Sequence, residues 1–181
     1  MEIRADLNKT AFLQSENFEW VDSPLPGVQR VMLDRVGDEV AVATSLVRYA
    51  PGSSFDAHGH ALGEEFIVLE GVFSDEHGDY PAGTYVRNPA GTAHTPFSNE
   101  GCIIFVKLRQ FDEADQTQMS LEIGDQNQRL FTYGDEEVEA VRIPKGERFA
   151  FSSSFYVREL LVLSGSVNWQ QEETRTLNPW S

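Results

Sequence analysis

Short runs of β-branched and aromatic residues recur along this chain, separated by turns that carry Gly and Pro. Val40–Val47, Glu65–Leu69, Thr84–Val86, Cys102–Leu108 and Glu159–Leu163 are such runs. Pro24-Leu-Pro-Gly27, Pro51-Gly52, Pro81-Ala-Gly83, Pro89-Ala-Gly91 and Pro144-Lys-Gly146 punctuate them. Strands bounded by turn signals at intervals of about 8–12 residues predict a sandwich or barrel. No stretch of useful length carries the 3.6-residue period of an amphipathic helix. The predicted class is all-β. Along the strand that starts at Glu64, alternation puts Glu64, Phe66 and Val68 on one face and Ile67 and Leu69 on the other. Glu64 therefore heads an apolar column pointing into the barrel. The polar, aperiodic stretch Asp112–Ser120 reads as a linker.

The chain also resembles itself. At an offset of 94, Val47-Arg48 falls on Val141-Arg142, Gly52 on Gly146 and Phe55 on Phe149, without a gap. Further on, Glu65-Phe-Ile-Val-Leu-Glu-Gly71 falls on Glu159-Leu-Leu-Val-Leu-Ser-Gly165. This predicts a tandem duplication, residues 1–115 forming one domain and 116–181 a second copy. In that copy Ser152 stands for His58, Ser154 for His60 and Arg158 for Glu64, and no counterpart of His94 exists. Two hydroxyls and a guanidinium cannot hold a divalent cation. The second copy is expected to be degenerate and incomplete, which leaves strand edges to cover and predicts a homodimer.

Composition narrows the chemistry. A formal charge of −15 over 181 residues, with no basic cluster, argues against nucleic-acid binding. The acidic groups Asp112, Glu113, Asp115 and Asp135, Glu136, Glu137, Glu139 read as solvated loops. No run approaches the ~18 apolar residues of a membrane span, and the first residues lack the pattern of a signal peptide, so no membrane association and a cytoplasmic location are expected. With a single cysteine, Cys102, neither an internal disulfide nor a Cys-x2-Cys site can form. Cys102 is expected to be a buried small hydrophobe. Any metal must be held by His and carboxylate.

Three of the four histidines fall in one pattern. It runs Gly52-x5-His58-x-His60-x3-Glu64-x6-Gly71, then Gly83-x5-Pro89-x-Gly91-x2-His94. On an extended segment His58 and His60 leave the same face, and the Ala61-Leu62-Gly63 bend returns the chain to Glu64. The Pro89-Ala-Gly91 turn is expected to deliver His94 from a separate strand on the far side. Three imidazoles and a carboxylate suit Zn²⁺, Fe²⁺, Mn²⁺, Ni²⁺ or Cu²⁺ and are too nitrogen-rich for Mg²⁺ or Ca²⁺. One such ion with Glu64 leaves a charge of about +1, which favours a small anionic ligand or substrate. Closed tetrahedral coordination would make the ion structural or sensory; open octahedral coordination would admit substrate and O₂. Glu65 is the rival carboxylate ligand. No catalytic base can be assigned, with Glu65 and Tyr85 the nearest candidates. His77, in Ser74-Asp-Glu-His-Gly78, is expected in an exposed hairpin loop.

These residues match both conserved cupin motifs, except that Ser98 stands where the second motif ends in Asn. More finely, the chain resembles the ChrR-like cupins. The resemblance rests on Leu46–Gly52, His58–Gly71, Val72–Arg87 and Gly101-Cys102. It implies a cupin double-stranded β-helix (jelly roll), here a tandem bicupin with the second repeat degenerate. It implies one metal ion, zinc foremost, with His58, His60, Glu64 and His94 as ligands. In that family an anti-sigma factor uses a zinc-bound cupin domain in releasing an extracytoplasmic-function sigma factor under oxidative stress. A regulatory, stress-sensing role and a sigma-factor partner are thus implied, although this sequence lacks the His-x3-Cys-x2-Cys motif of the sigma-binding zinc domain. Other relatives in the group are iron dioxygenases that cleave hydroxyaryl ketones or β-diketones, the alternative expectation.

Overall fold

The computed structural model describes residues 1–38, 40–151, 157–170 and 174–181. Two short strands, β1 (Glu2–Ile3) and β2 (Val21–Asp22), lead into the hairpin of β3 (Val28–Gly37) and β4 (Ala41–Tyr49). The two-residue strands β5 (Ser53–Ser54) and β6 (His58–Gly59) precede the long β7 (Glu64–Asp75), β8 (Gly78–Pro81) and β9 (Thr84–Asn88). Then come β10 (Ala93–His94), β11 (Phe97–Ser98) and β12 (Cys102–Leu108). All pairing is antiparallel: β1, β3, β4, β12, β7, β11 and β5 lie side by side in that order, and β9 adds to β7. The only helix among the described residues is a 3-10 turn at Ser15–Asn17. The all-β expectation holds, and the fold is cupin-like.

The barrel is filled by side chains alternating inward from these strands. Val28, Tyr49, Phe66, Val68, Phe73, Val86, Cys102, Ile104 and Val106 form one buried cluster. Cys102 is the small buried hydrophobe expected, its thiol pushed up to about 11 by burial. Register follows the pleat. Glu64 pairs with Asn88 and Phe66 with Val86 on the inner face, while Glu65 pairs with Arg87 and Ile67 with Tyr85 on the outer.

One irregularity redirects β7. Opposite β12, Ile103 pairs with Glu70 but Ile104 pairs with Val68, so Leu69 is the extra residue of a bulge. Before it, even-numbered residues point inward; after it, Phe73 joins the same core. The bulge is followed by Gly71 at φ +70, where a Cβ would lie 2.0 Å from the Gly101 carbonyl oxygen. Only glycine fits there.

Beyond the barrel lie β13 (Met119–Glu122), β14 (Gln128–Tyr133), β15 (Glu136–Ala140), β16 (Val167–Gln170) and β17 (Thr174–Leu177). Two expectations change here. The stretch Asp112–Ser120 is more than a linker: Met119 already begins β13, which pairs with β9 of the barrel sheet. Nor are its acids all solvated, because Asp115 is fully buried against Arg87. Periodicity failed on both counts because a short polar segment becomes ordered by an anchoring ion pair that no local pattern reveals.

β14 and β15 form a hairpin, as do β16 and β17. The run Glu159–Leu163, expected as a strand, forms none. Lys107 of β12 takes Glu159 in an ion pair, and Arg158 lies over the Phe151 ring at 5.1 Å. Ser152 and Ser154, the residues set against His58 and His60, lie outside the described residues.

Candidate metal centre

Two very short strands carry the three histidines. β6 and β10 pair so that His58 and His94 stand directly opposite each other. The ladder continues through His60, whose N–H donates to the Thr92 carbonyl at 2.9 Å and whose carbonyl accepts from Gly91 N–H at 3.0 Å. His94 thus arrives from the neighbouring strand rather than from the far side: the Pro89–Gly91 turn folds straight back onto β6. Gly63, at φ +79, makes the bend to Glu64, and a Cβ there would lie 2.3 Å from the Phe111 ring. Glu64 then enters from β7. One donor atom from each of His58, His60, Glu64 and His94 lies within 4.8 Å of the others. His60, Glu64 and His94 are buried, at 6%, 7% and 3% exposure; His58 is partly exposed.

The hydrogen bonds around the rings decide where each imidazole keeps its lone pair. His58 Nδ1 lies 2.9 Å from the Asp56 carbonyl, an acceptor only, so Nδ1 is the donor. His60 Nδ1 lies 2.9 Å from Thr92 Oγ1, whose one hydrogen is already given to the Pro89 carbonyl at 2.7 Å. Thr92 must therefore accept, and His60 Nδ1 also donates. His94 Nδ1 lies 3.1 Å from Asp75 Oδ2, again an acceptor. All three rings carry hydrogen on Nδ1 and leave the Nε2 lone pair free. His60 Nε2 and His94 Nε2 each lie 3.5 Å from Glu64 Oε1. His60 Nε2 and Glu64 Oε1 are buried without a hydrogen-bond partner.

Lone pairs that converge on lone pairs call for a cation between them. Burial pushes the Glu64 carboxyl up to about 7, against a hydrogen bond with Asn88. Burial, with the His94 and His58 rings beside it, holds His60 down to about 4; burial likewise lowers His94. Neither ring readily takes the proton that Glu64 would need as its partner. A divalent ion would answer all four groups together. Ligand atoms on bonds of about 2.1 Å stand about 3.4 Å apart around a tetrahedral metal, close to the 3.5 Å separations here. The His/Glu cluster could bind a metal ion, and its nitrogen-rich donor set suits a transition metal.

Glu65 lies on the other face of β7 and does not reach this centre. Its Oε2 accepts from Arg87 and from the Tyr85 hydroxyl, each at 2.7 Å. Neither Glu65 nor Tyr85 is therefore placed as a base for chemistry inside the barrel. His77 is exposed, as expected. Ser98 is fully buried, and its hydroxyl donates to the Val72 carbonyl at 2.6 Å, holding β11 to β7.

Sequence reading missed the groups that orient the donors: Asp56, Asp75, Asn88 and Thr92. Thr92 was within reach of it, as the last polar residue of the Pro89–Thr92 turn. Asp75 was not. Counted by alternation from Glu64, an odd-numbered residue points outward, and only the bulge at Leu69 turns Asp75 toward His94.

Residues 8–112 match the family described as the ChrR cupin-like domain. Among solved structures, a chain in the Rhodobacter sphaeroides complex of SigE with the anti-sigma ChrR is 24% identical, with a TM-score of 0.44. The match covers 52% of this chain and 51% of that one, so this chain spans about half the length of that relative. A putative acetylacetone dioxygenase from Methylibium petroleiphilum is 20% identical over 61% of this chain and 86% of its own, with a TM-score of 0.50. An RmlC-like cupin from Ralstonia eutropha is 19% identical over 63% and 80%, with a TM-score of 0.49. No curated protein sequence matches. No helix among the described residues is long and apolar enough to cross a membrane. With a family match over more than half its length and a His/Glu cluster in the barrel, the chain belongs to the ChrR cupin-like domain family.

Proposed function

We propose that this chain binds one divalent transition-metal ion, zinc foremost, through His58, His60, Glu64 and His94, and that it serves a regulatory, stress-sensing role. One observation carries the metal assignment: the imidazoles are oriented by acceptors, and the Nε2 lone pairs of His60 and His94 each stand 3.5 Å from a buried Glu64 oxygen with no cation of the chain against it. A bound ion would supply a Lewis acid and a charge-dependent lock on the β6–β10 pair. Membership of a family named for ChrR supports the regulatory role and makes a sigma factor the protein partner to test first.

We read residues 1–115 as the metal-binding domain and 116–181 as a degenerate second cupin repeat. The β14–β15 and β16–β17 hairpins support this reading. Exposed Ile143, Phe149, Phe151, Val157, Leu160 and Leu163 support a homodimer that covers this half, which light scattering would measure.

A second reading follows from His58, which is partly exposed and leaves the centre approachable from one side. A non-haem iron dioxygenase acting on hydroxyaryl ketones or β-diketones needs such an opening. Metal analysis of protein purified without added metal, followed by O₂-uptake assays with β-diketones after iron loading, separates the two. One zinc per chain and no uptake supports regulation. Uptake abolished by His94→Ala supports the dioxygenase. A wild type that takes up no metal ends both readings.

A further inference from the structure

We infer that Asp75 is a positioning residue for the metal centre, setting its affinity through His94; this rests on the metal reading above. Asp75 is buried at 8% exposure, and both its oxygens are engaged. Oδ2 lies 3.1 Å from His94 Nδ1. Oδ1 accepts the His77 N–H at 2.8 Å and the Tyr80 hydroxyl at 3.3 Å. A carboxylate held at three points cannot swing away, so it fixes both the rotation and the tautomer of the ring it touches. The next residue adds to the grip: Glu76 Oε2 accepts the Thr95 N–H at 2.8 Å. The tip of the β7–β8 hairpin thus holds both the ring of His94 and the backbone after it.

Charge gives Asp75 a second effect. A divalent ion with Glu64 alone leaves a centre of about +1; a carboxylate behind His94 brings the sum to about zero. An anion hydrogen-bonded to a ligating imidazole makes the ring a stronger donor, and removing such a partner typically weakens metal affinity about 10–100-fold. The other two rings lean on neutral oxygens, Thr92 Oγ1 and the Asp56 carbonyl, so Asp75 is the one ionic partner among the three contacts.

The test compares the full chain as wild type, Asp75→Ala, Asp75→Asn and Asp79→Asn. Zinc dissociation constants come from competition with a chromophoric chelator, and histidine ¹⁵N–¹H NMR reads ring tautomers in the metal-free proteins. Asp79 is the control: it sits on the same hairpin, and its Oδ1 accepts from Ser74 at 2.6 Å. Asp75→Ala is expected to weaken zinc binding about 10–100-fold, and Asp75→Asn, which keeps an acceptor but not the charge, about 3–10-fold. Asp79→Asn should stay within about twofold of wild type. His94 should lose its uniform Nδ1–H signature in Asp75→Ala, a change that loosening of the hairpin alone would not confine to one ring. Should Asp75→Ala fail to fold, as thermal melting would show, Asp75→Asn carries the same comparison. Zinc affinities indistinguishable among wild type and both Asp75 variants overturn the role of Asp75 and leave the metal centre standing. A wild type that binds no zinc overturns the metal reading itself.

Discussion

Glu64 and Glu65 are consecutive residues on one strand, both buried, yet they sit in opposite electrostatic settings. Glu65 faces outward into a knot of compensating groups. Arg87 bonds it at 2.7 Å, reaches Asp115 at 2.7 Å and Glu136 at 3.0 Å, and lies between the Phe111 and Phe131 rings at 4.0 and 3.5 Å. Glu64 faces inward to lone pairs and has no cation. The contrast separates two uses of a buried carboxylate. Where the chain brings its own guanidinium, the result is a clamp that fastens Asp115 and Glu136, from beyond the barrel strands, to β9. Where the chain withholds a cation, the carboxyl is driven toward its neutral form and an outside ion is invited. Asp115 shows the balance within the knot: burial pushes its carboxyl up, but hydrogen bonds from Thr117 and Arg87 outweigh that and leave it lowered. Glu136, at the rim, is instead raised by burial.

The sharpest way to break this contrast is Arg87→Ala. It strands Glu65 and Asp115 without their cation, and a broken buried pair typically costs about 3–5 kcal/mol. Urea melts should show that loss, and protease cleavage should rise between residues 112 and 140, where the clamp is released. If stability falls by less than about 1 kcal/mol, the knot is not what holds this segment.

Next in size is Glu64→Gln. It should leave the metal-free fold intact while weakening zinc binding about 100-fold or more, equivalent to about 2.7 kcal/mol. The sign in the metal-free protein is opposite to that of Arg87→Ala. Because the folded carboxyl is raised to about 7, ionising it on folding is unfavourable, and stability drains away as pH rises from its ordinary 4.5 through 7. Glu64→Gln should remove that loss, so that metal-free melting temperature at pH 8 stays level or rises. A marked drop would show that Glu64 is already paired within the fold.

The pH dependence of zinc binding sharpens the same point at a smaller scale. Glu64 must release a proton to bind, so affinity should fall up to about tenfold per pH unit below 7. His60, held near 4, contributes nothing to that slope until much lower pH. Calorimetry in buffers of different ionisation enthalpy should count about one more proton released per zinc at pH 6 in the wild type than in Glu64→Gln. Equal counts in the two proteins would show that Glu64 is already ionised before zinc arrives. The smallest expected effect is that of His77→Ala. Its side chain is exposed, and only its backbone N–H bonds Asp75, so zinc affinity should stay within about twofold of wild type.

Much of this contrast was legible beforehand, for reasons that are local. A period of two separates Glu64 from Glu65 whatever the fold, and His-x-His on an extended segment shares a face. Where reading along the chain failed, the cause lay between segments. Asp115 is as polar as any linker residue until Arg87 meets it. Asp75 changes face because of a bulge set by pairing with β12. Glu159–Leu163 has the composition of a strand, but its backbone pairing with Trp180 and Ser181 at Val162 does not extend into a ladder.

By itself, the sequence determined the all-β class, the candidate cluster of His58, His60, Glu64 and His94, and the absence of a cysteine site, because alternation, spacing and residue type depend only on neighbours along the chain. Tertiary structure alone decided that His94 pairs with His58, that Asp75 stands behind His94, and that Asp115 is buried. Each of these is a meeting of residues far apart in sequence, and no local preference encodes which distant charge or strand will arrive to complete a buried group.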